Sequence, residues 1–509
     1  NDEEVKKIIN TLRNSSAGWD HIAPKALKSL GEHLAHPIAY LCNLSFVTGV
    51  VRELKIAEVV PIYKSGIQDV FNNYRPVSVL CCISKIYERL MYNRLYAFLM
   101  KNNVFYKFQF EFREKHSADL ALSCLNDKIS AAIDQGDVTC AVYCDLSKAF
   151  DCVNYDILLY KLEQYGIRGV AKQWFLSYLS DRVQYTNFNG TFSSKLPLTH
   201  GVPQGSILGP LLFIIYINEL CNVSSLLDYI LYADDSTFLM SGSNIKTLME
   251  NLNTEMSKAI TWFNTNKLAV NLSKTKCMVF SAKGKHVPNQ DVKICVNGTE
   301  LEMIEETKFL GIIIDSKLTW NKHIKYIASK ISKNIGIIIK ARKIFGRSTL
   351  VNLYYTFVFP YITYCSLVWG TACKTNLVTI HRLQKRIIRI IHGVNRYHHT
   401  QELFSQLKIL NVYQVHRLNL CMFCYKLKNN LLPSLFDNYL VNVSDVHNYN
   451  TRSAKKFYIK RTRTSYGQKC VKYQAPLIWN NLPNLLKLNN SPKSFKFACI
   501  NHLISNIDY

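Results

Sequence analysis

Residues 229–240 read YILYADDSTFLM, two short β-branched and aromatic runs on either side of Ala233-Asp234-Asp235. This pattern predicts two short strands with a tight turn between them, and it sets two adjacent carboxylates at a strand end. A second apolar run, residues 139–144 (TCAVYC), predicts a buried strand that ends in Asp145, with a helix beginning near Lys148. Burying or half-burying such acids is costly unless each is paired or bound to a cation. The reading of these two stretches decides the rest.

Working outward, residues 207–220 predict an apolar helix entered through a Gly/Pro-rich loop, and residues 181–189 a strand running into the Asn189-Gly190 turn. Residues 59–63 predict a strand closed by a turn at Lys64-Ser65-Gly66, and helical periodicity returns over residues 83–99. Residues 1–54 predict helices, with Val5, Ile8, Ile9 and Leu12 forming one stripe. Strands and helices interleave without a strict βαβ rhythm, so the expected class is α+β. Past residue 316, Ile324, Ile327, Ile331, Ile335 and Ile338 recur at helical spacing, with lysines largely off that stripe.

The chain has 509 residues, 48% hydrophobic and 19% charged, which excludes global disorder. Its formal net charge of +26 is unevenly placed. Residues 316–509 hold 30 of the 62 Lys and Arg but four of the 36 acids, while residues 1–315 hold 32 of each. The whole excess lies in one half, which implies a polyanion partner for it. The 16 cysteines are scattered through apolar runs and read as buried thiols in a reducing compartment. Cys421 and Cys424 have no matching second pair, so no zinc site is expected. Residues 348–373 carry no charge, yet Asn352, Pro360 and several Tyr and Thr favour a buried helical hairpin over a membrane span. No signal peptide is evident, and the chain opens Asn1-Asp2-Glu3-Glu4 without Met, so a fragment or processed product is expected.

Three carboxylates at strand ends can hold two Mg²⁺ ions about 3.5–4 Å apart, the arrangement of in-line nucleotidyl transfer. Tyr232-Ala233-Asp234-Asp235 resembles the Y-x-D-D box of reverse transcriptases, and residues 145–151 (DLSKAFD) resemble the other acid box of their palm. Residues 201–210 (GVPQGSILGP) resemble the template-side box, residues 73–78 (NYRPVS) the fingers box, and residues 272–276 (LSKTK) and 309–311 (FLG) two later boxes. They stand in family order across roughly residues 55–315. The group resembled is the polymerase of non-LTR (LINE) retrotransposons, nearest the jockey-like elements. Residues 16–20 (SAGWD) are similar to that group's upstream box, and residues 475–483 (APLIWNNLP) to its terminal signature.

The resemblance implies a right-hand polymerase, with fingers, a palm whose antiparallel sheet carries the acids, and a helical thumb. The implied division is a helical extension at 1–54, fingers and palm at 55–315, thumb at 316–400 and a mostly helical basic nucleic-acid-binding region at 401–509. Asp145 and Asp234 are then the ligands of both metals, Asp235 a weaker or indirect one, and the Leu146 carbonyl an extra one. The metals are Mg²⁺, with Mn²⁺ an alternative. Phe150 is expected under the incoming sugar, where its ring would collide with a 2′-hydroxyl. Without the box it would read as an ordinary core aromatic. Lys64 and Arg75 are expected on the triphosphate, as a point charge and a bidentate fork. Gln204 and Gly205 are expected against the template pair, where a Cβ would block the backbone's approach. Lys274 or Lys276 is the expected proton donor to pyrophosphate, Lys274 fitting the box better. Phe309, Leu310 and Gly311 read as a tight hairpin supporting the primer end.

Residues 452–463 (RSAKKFYIKRTR) interleave bases with Phe457 and Tyr458, a composition suited to RNA because rings stack while charges track phosphate. Lys455, Lys456, Lys460, Arg461 and Arg463 are its candidate contacts, and the run also resembles a nuclear localisation patch. Expected partners are therefore an RNA template, a DNA primer or target and deoxynucleoside triphosphates, with no membrane. Expected localisation is intracellular, in cytoplasm and nucleus as a ribonucleoprotein. No RNase H motif is found in the basic half, and an endonuclease, if the parent has one, would precede Asn1. Three other readings fit the residues less well. A group II intron maturase is disfavoured by DLSKAFD and by Trp479-Asn480. A silent RNA-binding relic is disfavoured because the three acids, Lys64, Arg75 and Gln204 are intact. An RNA-dependent RNA polymerase is disfavoured by Phe150 and by Ala, not Gly, before Asp234.

Overall fold

The computed structural model describes residues 1–52, 54–285, 293–296, 298–446 and 456–505. It is a mixed α/β fold. Strands β1 (Ile56–Tyr63), β2 (Tyr74–Val79), β3 (Val138–Cys144), β4 (Arg182–Phe188), β5 (Thr191–Phe192) and β6 (Leu196–Leu198) come first in the chain. The central hairpin is β7 (Asp228–Tyr232) and β8 (Asp235–Gly242), followed by β9 (Lys276–Phe280). Short pieces β10 (Cys295–Val296), β11 (Thr299–Glu300) and β12 (Glu302–Met303) lead to the hairpin β13 (Glu306–Phe309) and β14 (Ile312–Asp315).

One sheet runs β12-β9-β3-β8-β7, with β3 at its centre and antiparallel to both neighbours. Every residue of β3 is buried, as a strand covered on both faces must be. Its alternation sorts two cores. Ala141 and Tyr143 face one core, shared with the helix Ala118–Gln135 and the helices after residue 321. Cys140, Val142 and Cys144 face the other, with the helices Leu208–Ile217 and Ile245–Thr265. The second sheet carries β2-β1-β4-β5, with β6 against β4 and with β1 and β4 parallel. A third core joins the N-terminal helices Asp2–Thr11 and Gly31–Thr48 to the helix Cys82–Lys101.

The helix Leu208–Ile217 is apolar all round and buried almost throughout, Pro210 sitting in its first turn where a missing N–H costs nothing. The isoleucine stripe expected after residue 316 is the buried face of the helix Asn321–Ala341. Two local expectations are corrected. The helix expected near Lys148 is only a single tight turn, Ala149–Cys152, because Lys148 takes a left-handed φ of 48°. The true helix, Tyr155–Gln164, starts where the Asn154 side chain caps the Ile157 N–H. Residues 348–373 fold not as a hairpin but as three short helices, Arg347–Phe357, Phe359–Thr363 and Ser366–Trp369. Pro360 and the left-handed Cys365 break them apart. Among the described residues no helix is long and apolar enough to cross a membrane. Most of the cysteines are buried as free thiols.

Candidate polymerase site

The β3–β8 register pairs Cys144 with Ser236. The next residues outward on the two strands are Asp145 and Asp235, so both leave the sheet at the same edge. Tyr232 pairs with Asp235 across β7 and β8, leaving Ala233 and Asp234 as a two-residue turn. Ala233 is buried with a left-handed φ of 50°, a conformation an L-residue holds only when its surroundings fix it. Those surroundings are visible. Residues 108–111 run along the outer edge of β7: Leu231 N–H donates to the Phe108 carbonyl at 3.0 Å and Phe110 N–H to the Leu231 carbonyl at 2.9 Å. The Gln109 Oε1 then accepts the N–H groups of Ala233 (3.3 Å) and Glu111 (3.1 Å).

Asp145 is fixed from the other side by residues 269–275. Its N–H donates to the Thr275 hydroxyl at 3.3 Å, and its carbonyl accepts the Asn271 N–H at 2.8 Å. Ser147 N–H donates to the Ala269 carbonyl at 2.8 Å, so Leu146 bridges to Val270 while its own carbonyl stays out of the pairing.

The electrostatics follow from this gathering. Asp234 and Asp235 reach solvent at the mouth of the site, yet protein lines most of their surroundings. Burial pushes the Asp235 carboxyl up to about 6, with Asp234 and then Asp145 adding to the rise. Asp234 is raised mainly by burial and also by Asp145, while Arg75 and Lys64 pull it back. Glu111, seated by its neighbour Gln109, is pushed up to about 7 by burial, Asp234 and Asp235. Among the described residues none of these four acids has a cationic partner within 4.0 Å.

Also among the described residues, no three His, Cys, Asp or Glu side chains are grouped so as to hold a metal by themselves. Mg²⁺ is ordinarily held by one or two carboxylates with substrate phosphates and water, not by an all-protein cage. The donor set fits such an ion: hard oxygens of like charge, with Lys64 and Arg75 in electrostatic range but not ion-paired to them among the described residues.

Lys64 and Arg75 come from the β1–β2 hairpin, where Arg75 pairs with Ile62 and Lys64 N–H donates to the Asn73 carbonyl at 2.8 Å. Both are in electrostatic range of Asp234. The glycine loop is fastened between the sheets. Ser78 N–H donates to the Gln204 carbonyl at 2.7 Å, and the Gln204 amide donates to Asp151 at 3.0 Å. Gly205 has φ +135°, and a Cβ there would lie 2.4 Å from the Ser78 carbonyl. What the missing side chain admits is thus strand β2 of this same chain. Phe150 is half-buried, its ring stacked on Phe213 with centroids 4.5 Å apart.

Lys276 is ion-paired to Glu302 at 3.0 Å, whereas Lys274 stands exposed beside Thr275. Phe309 packs on Tyr143 at 5.1 Å, and the turn Leu310-Gly311 has both residues at positive φ, as a twisted two-residue hairpin requires. Tyr364 donates its hydroxyl to the Leu310 carbonyl at 2.9 Å.

The basic run lies about the far side of the helix Ala118–Gln135. Lys456, Lys460, Arg461 and Arg463 are exposed, and Lys455 lies outside the described residues. Asp134 of that helix accepts the N–H of Arg463 at 2.9 Å and of Thr464 at 2.6 Å. Asp127, two turns earlier and fully buried, accepts the N–H groups of Val471 (2.8 Å) and Lys472 (3.0 Å) at the start of the helix Val471–Asn481. Sequence reading missed Gln109, Glu111, Thr275, Asp127 and Asp134. Only the aromatic–polar alternation of residues 108–112 (FQFEF) carried a usable signal, that of an edge strand.

Residues 62–314 match the family model described as reverse transcriptase (RNA-dependent DNA polymerase). The RNA-directed DNA polymerase from mobile element jockey of Drosophila melanogaster is 28% identical over 424 residues, covering 80% of this chain and 45% of its own length. The probable RNA-directed DNA polymerase from transposon BS of the same fly is 29% identical over 408 residues, covering 76% of this chain and 44% of its own. The chain therefore spans a little under half the length of these curated relatives. Among solved structures, telomerase from Candida albicans aligns over 75% of this chain and 69% of its own at 13% identity, with a TM-score of 0.38.

Proposed function

We propose that this chain, whose residues 62–314 match the reverse transcriptase family model, is an RNA-directed DNA polymerase of a non-LTR retrotransposon that extends a DNA 3′-hydroxyl on an RNA template. The observation that carries this reading is the single sheet edge shared by Asp145, Asp234 and Asp235, within reach of Lys64 and Arg75. On this reading Asp145 and Asp234, with Asp235 and the Leu146 carbonyl in support, hold two divalent cations. Bound there, such cations neutralise charge on the attacking and leaving oxygens.

The chain's own groups do the rest. Lys64 and Arg75 bind the triphosphate and orient it. Phe150, propped by Phe213, presents its ring edge to the sugar and rejects a 2′-hydroxyl. Gln204 and Gly205 line the template pair from a loop held by Ser78 and Asp151. Lys274 is the proton donor to pyrophosphate, since Lys276 is engaged with Glu302. The hairpin at Phe309, Leu310 and Gly311 backs the primer end. In this scheme β1–β2 belongs to the fingers, the five-stranded sheet to the palm and residues 316–400 to the thumb. Residues 401–509 grip nucleic acid, and the protein works as a ribonucleoprotein in cytoplasm and nucleus. Substrates are the RNA template, the DNA primer and deoxynucleoside triphosphates. Primer extension by the purified chain on poly(rA)/oligo(dT) with Mg²⁺ tests the reading. Dependable absence of extension, with template binding intact, would turn it towards an RNA-binding relic.

A further inference from the structure

The basic run is not a free loop where it meets the body of the protein. Asn480, in the APLIWNNLP stretch, clamps the backbone of Phe457: its Oδ1 accepts the Phe457 N–H at 2.9 Å and its Nδ2 donates to the Phe457 carbonyl at 2.8 Å. On either side, Tyr458 N–H donates to the Val441 carbonyl at 2.8 Å and Val443 N–H to the Lys456 carbonyl at 2.9 Å. These bonds fix Lys456 next to two lysines from other helices. The Lys428 ammonium lies 5.7 Å from the Phe457 ring centre and 5.4 Å from that of Trp479, and the Lys487 ammonium lies 5.9 Å from Trp479. Trp479 is buried, so these rings form a floor under the charges.

Three ammonium groups held together repel one another. Burial, then Lys428, then Lys456 push the Lys487 ammonium below its usual range. Among the described residues none of the three has a carboxylate within 4.0 Å. The Lys487 ammonium donates to the Asn484 amide oxygen at 3.4 Å. Nearby Asp445 is held by Asn442 and Ser444.

We propose that Lys428, Lys456 and Lys487, over the Trp479–Phe457 floor, bind the phosphodiester backbone of a single-stranded nucleic acid. The site opens onto exposed Tyr458, Lys460 and Arg461, a ring and further charges along which a strand can continue. The proposal rests on reading the basic half as a nucleic-acid surface, and it is independent of the acid edge, since it is tested by binding alone.

The experiment is a salt titration of fluorescein-labelled oligo(U) and oligo(dT) binding to the full chain. It compares wild type with Lys428→Met/Lys487→Met, changes that keep each aliphatic stem on the tryptophan. The slope of log K against log salt should fall by about 1.4 on one or both oligomers, about 0.7 for each contact. Lys456→Met, whose side chain is exposed, should lose about 0.7 and guards against misfolding of the double variant. Lys172→Met, a half-buried lysine already ion-paired with Glu163 at 2.6 Å, sets the baseline and should lose nothing. A loss on oligo(U) alone assigns the site to RNA, and a loss on oligo(dT) alone to DNA. Unaltered slopes on both, or an equal loss in Lys172→Met, would overturn the proposal.

Discussion

The acid edge of the sheet and the basic C-terminal half gather like charges in opposite ways. At the edge, Asp145 and Glu111 from separate segments stand in electrostatic range of the Asp234-Asp235 turn, and burial raises the acids of the turn together with Glu111. In the basic half the charges are spread along exposed helix faces, and Lys428, Lys456 and Lys487 crowd together where Asn480 pins the chain. A compact cluster suits a compact counter-charge such as a divalent cation, and a spread one suits a polymer. The difference separates chemistry from grip, and it can be broken at either end.

The largest expected effect is at the edge. Asp145→Asn should cut nucleotide incorporation by several orders of magnitude in single-turnover assays, because it removes charge stabilisation specific to the transition state. Activity within about tenfold of wild type would refute its role.

Next comes the grip. Neutralising Lys456, Lys460, Arg461 and Arg463 together should lower the salt slope of RNA binding by about 3 units, while extension at saturating primer–template survives. An unchanged slope would make the run a solvated tail or an import signal.

A smaller change is expected at Phe150. Phe150→Val should raise ribonucleotide relative to deoxynucleotide use by roughly tenfold or more, seen in competition between the two substrates. Unchanged discrimination would leave the ring as packing against Phe213 alone.

The smallest effect concerns Glu111. Its carboxyl is raised to about 7 in the folded chain, so its contribution favours folding below the ordinary carboxylate range near 4 and is lost as pH rises through 7. In metal-free protein, Glu111→Gln should therefore raise the melting temperature at pH 8 and scarcely alter it at about pH 4. A gap that does not widen with pH would place Glu111 away from the acids.

How much of this was legible beforehand depends on range. The hairpin around Ala233-Asp234, the strand ahead of Asp145 and the isoleucine stripe are local patterns, and they were readable from spacing alone. The residues that hold the site in shape were not. Thr275 meets the Asp145 backbone across 130 positions of chain, and Asp127 meets Val471 across 344, separations that no periodicity encodes. The helix misplaced at Lys148 shows the same limit at short range. A left-handed residue there is no property of lysine, and it stands directly after Asp145–Ser147, which residues 269–275 clamp from far along the chain. The sequence set Gly205 against a template pair, whereas in the fold the place of its Cβ is closed by the Ser78 carbonyl of this same chain.

The most direct test of the division between edge and grip measures both in one sample. Wild type and Asp234→Asn are titrated with labelled oligo(dT) annealed to poly(rA), with affinity read first and extension after adding dTTP and Mg²⁺. The account predicts extension lost by several orders of magnitude in Asp234→Asn, with affinity within about twofold of wild type. Retained extension, or affinity that falls in step with activity, would contradict it.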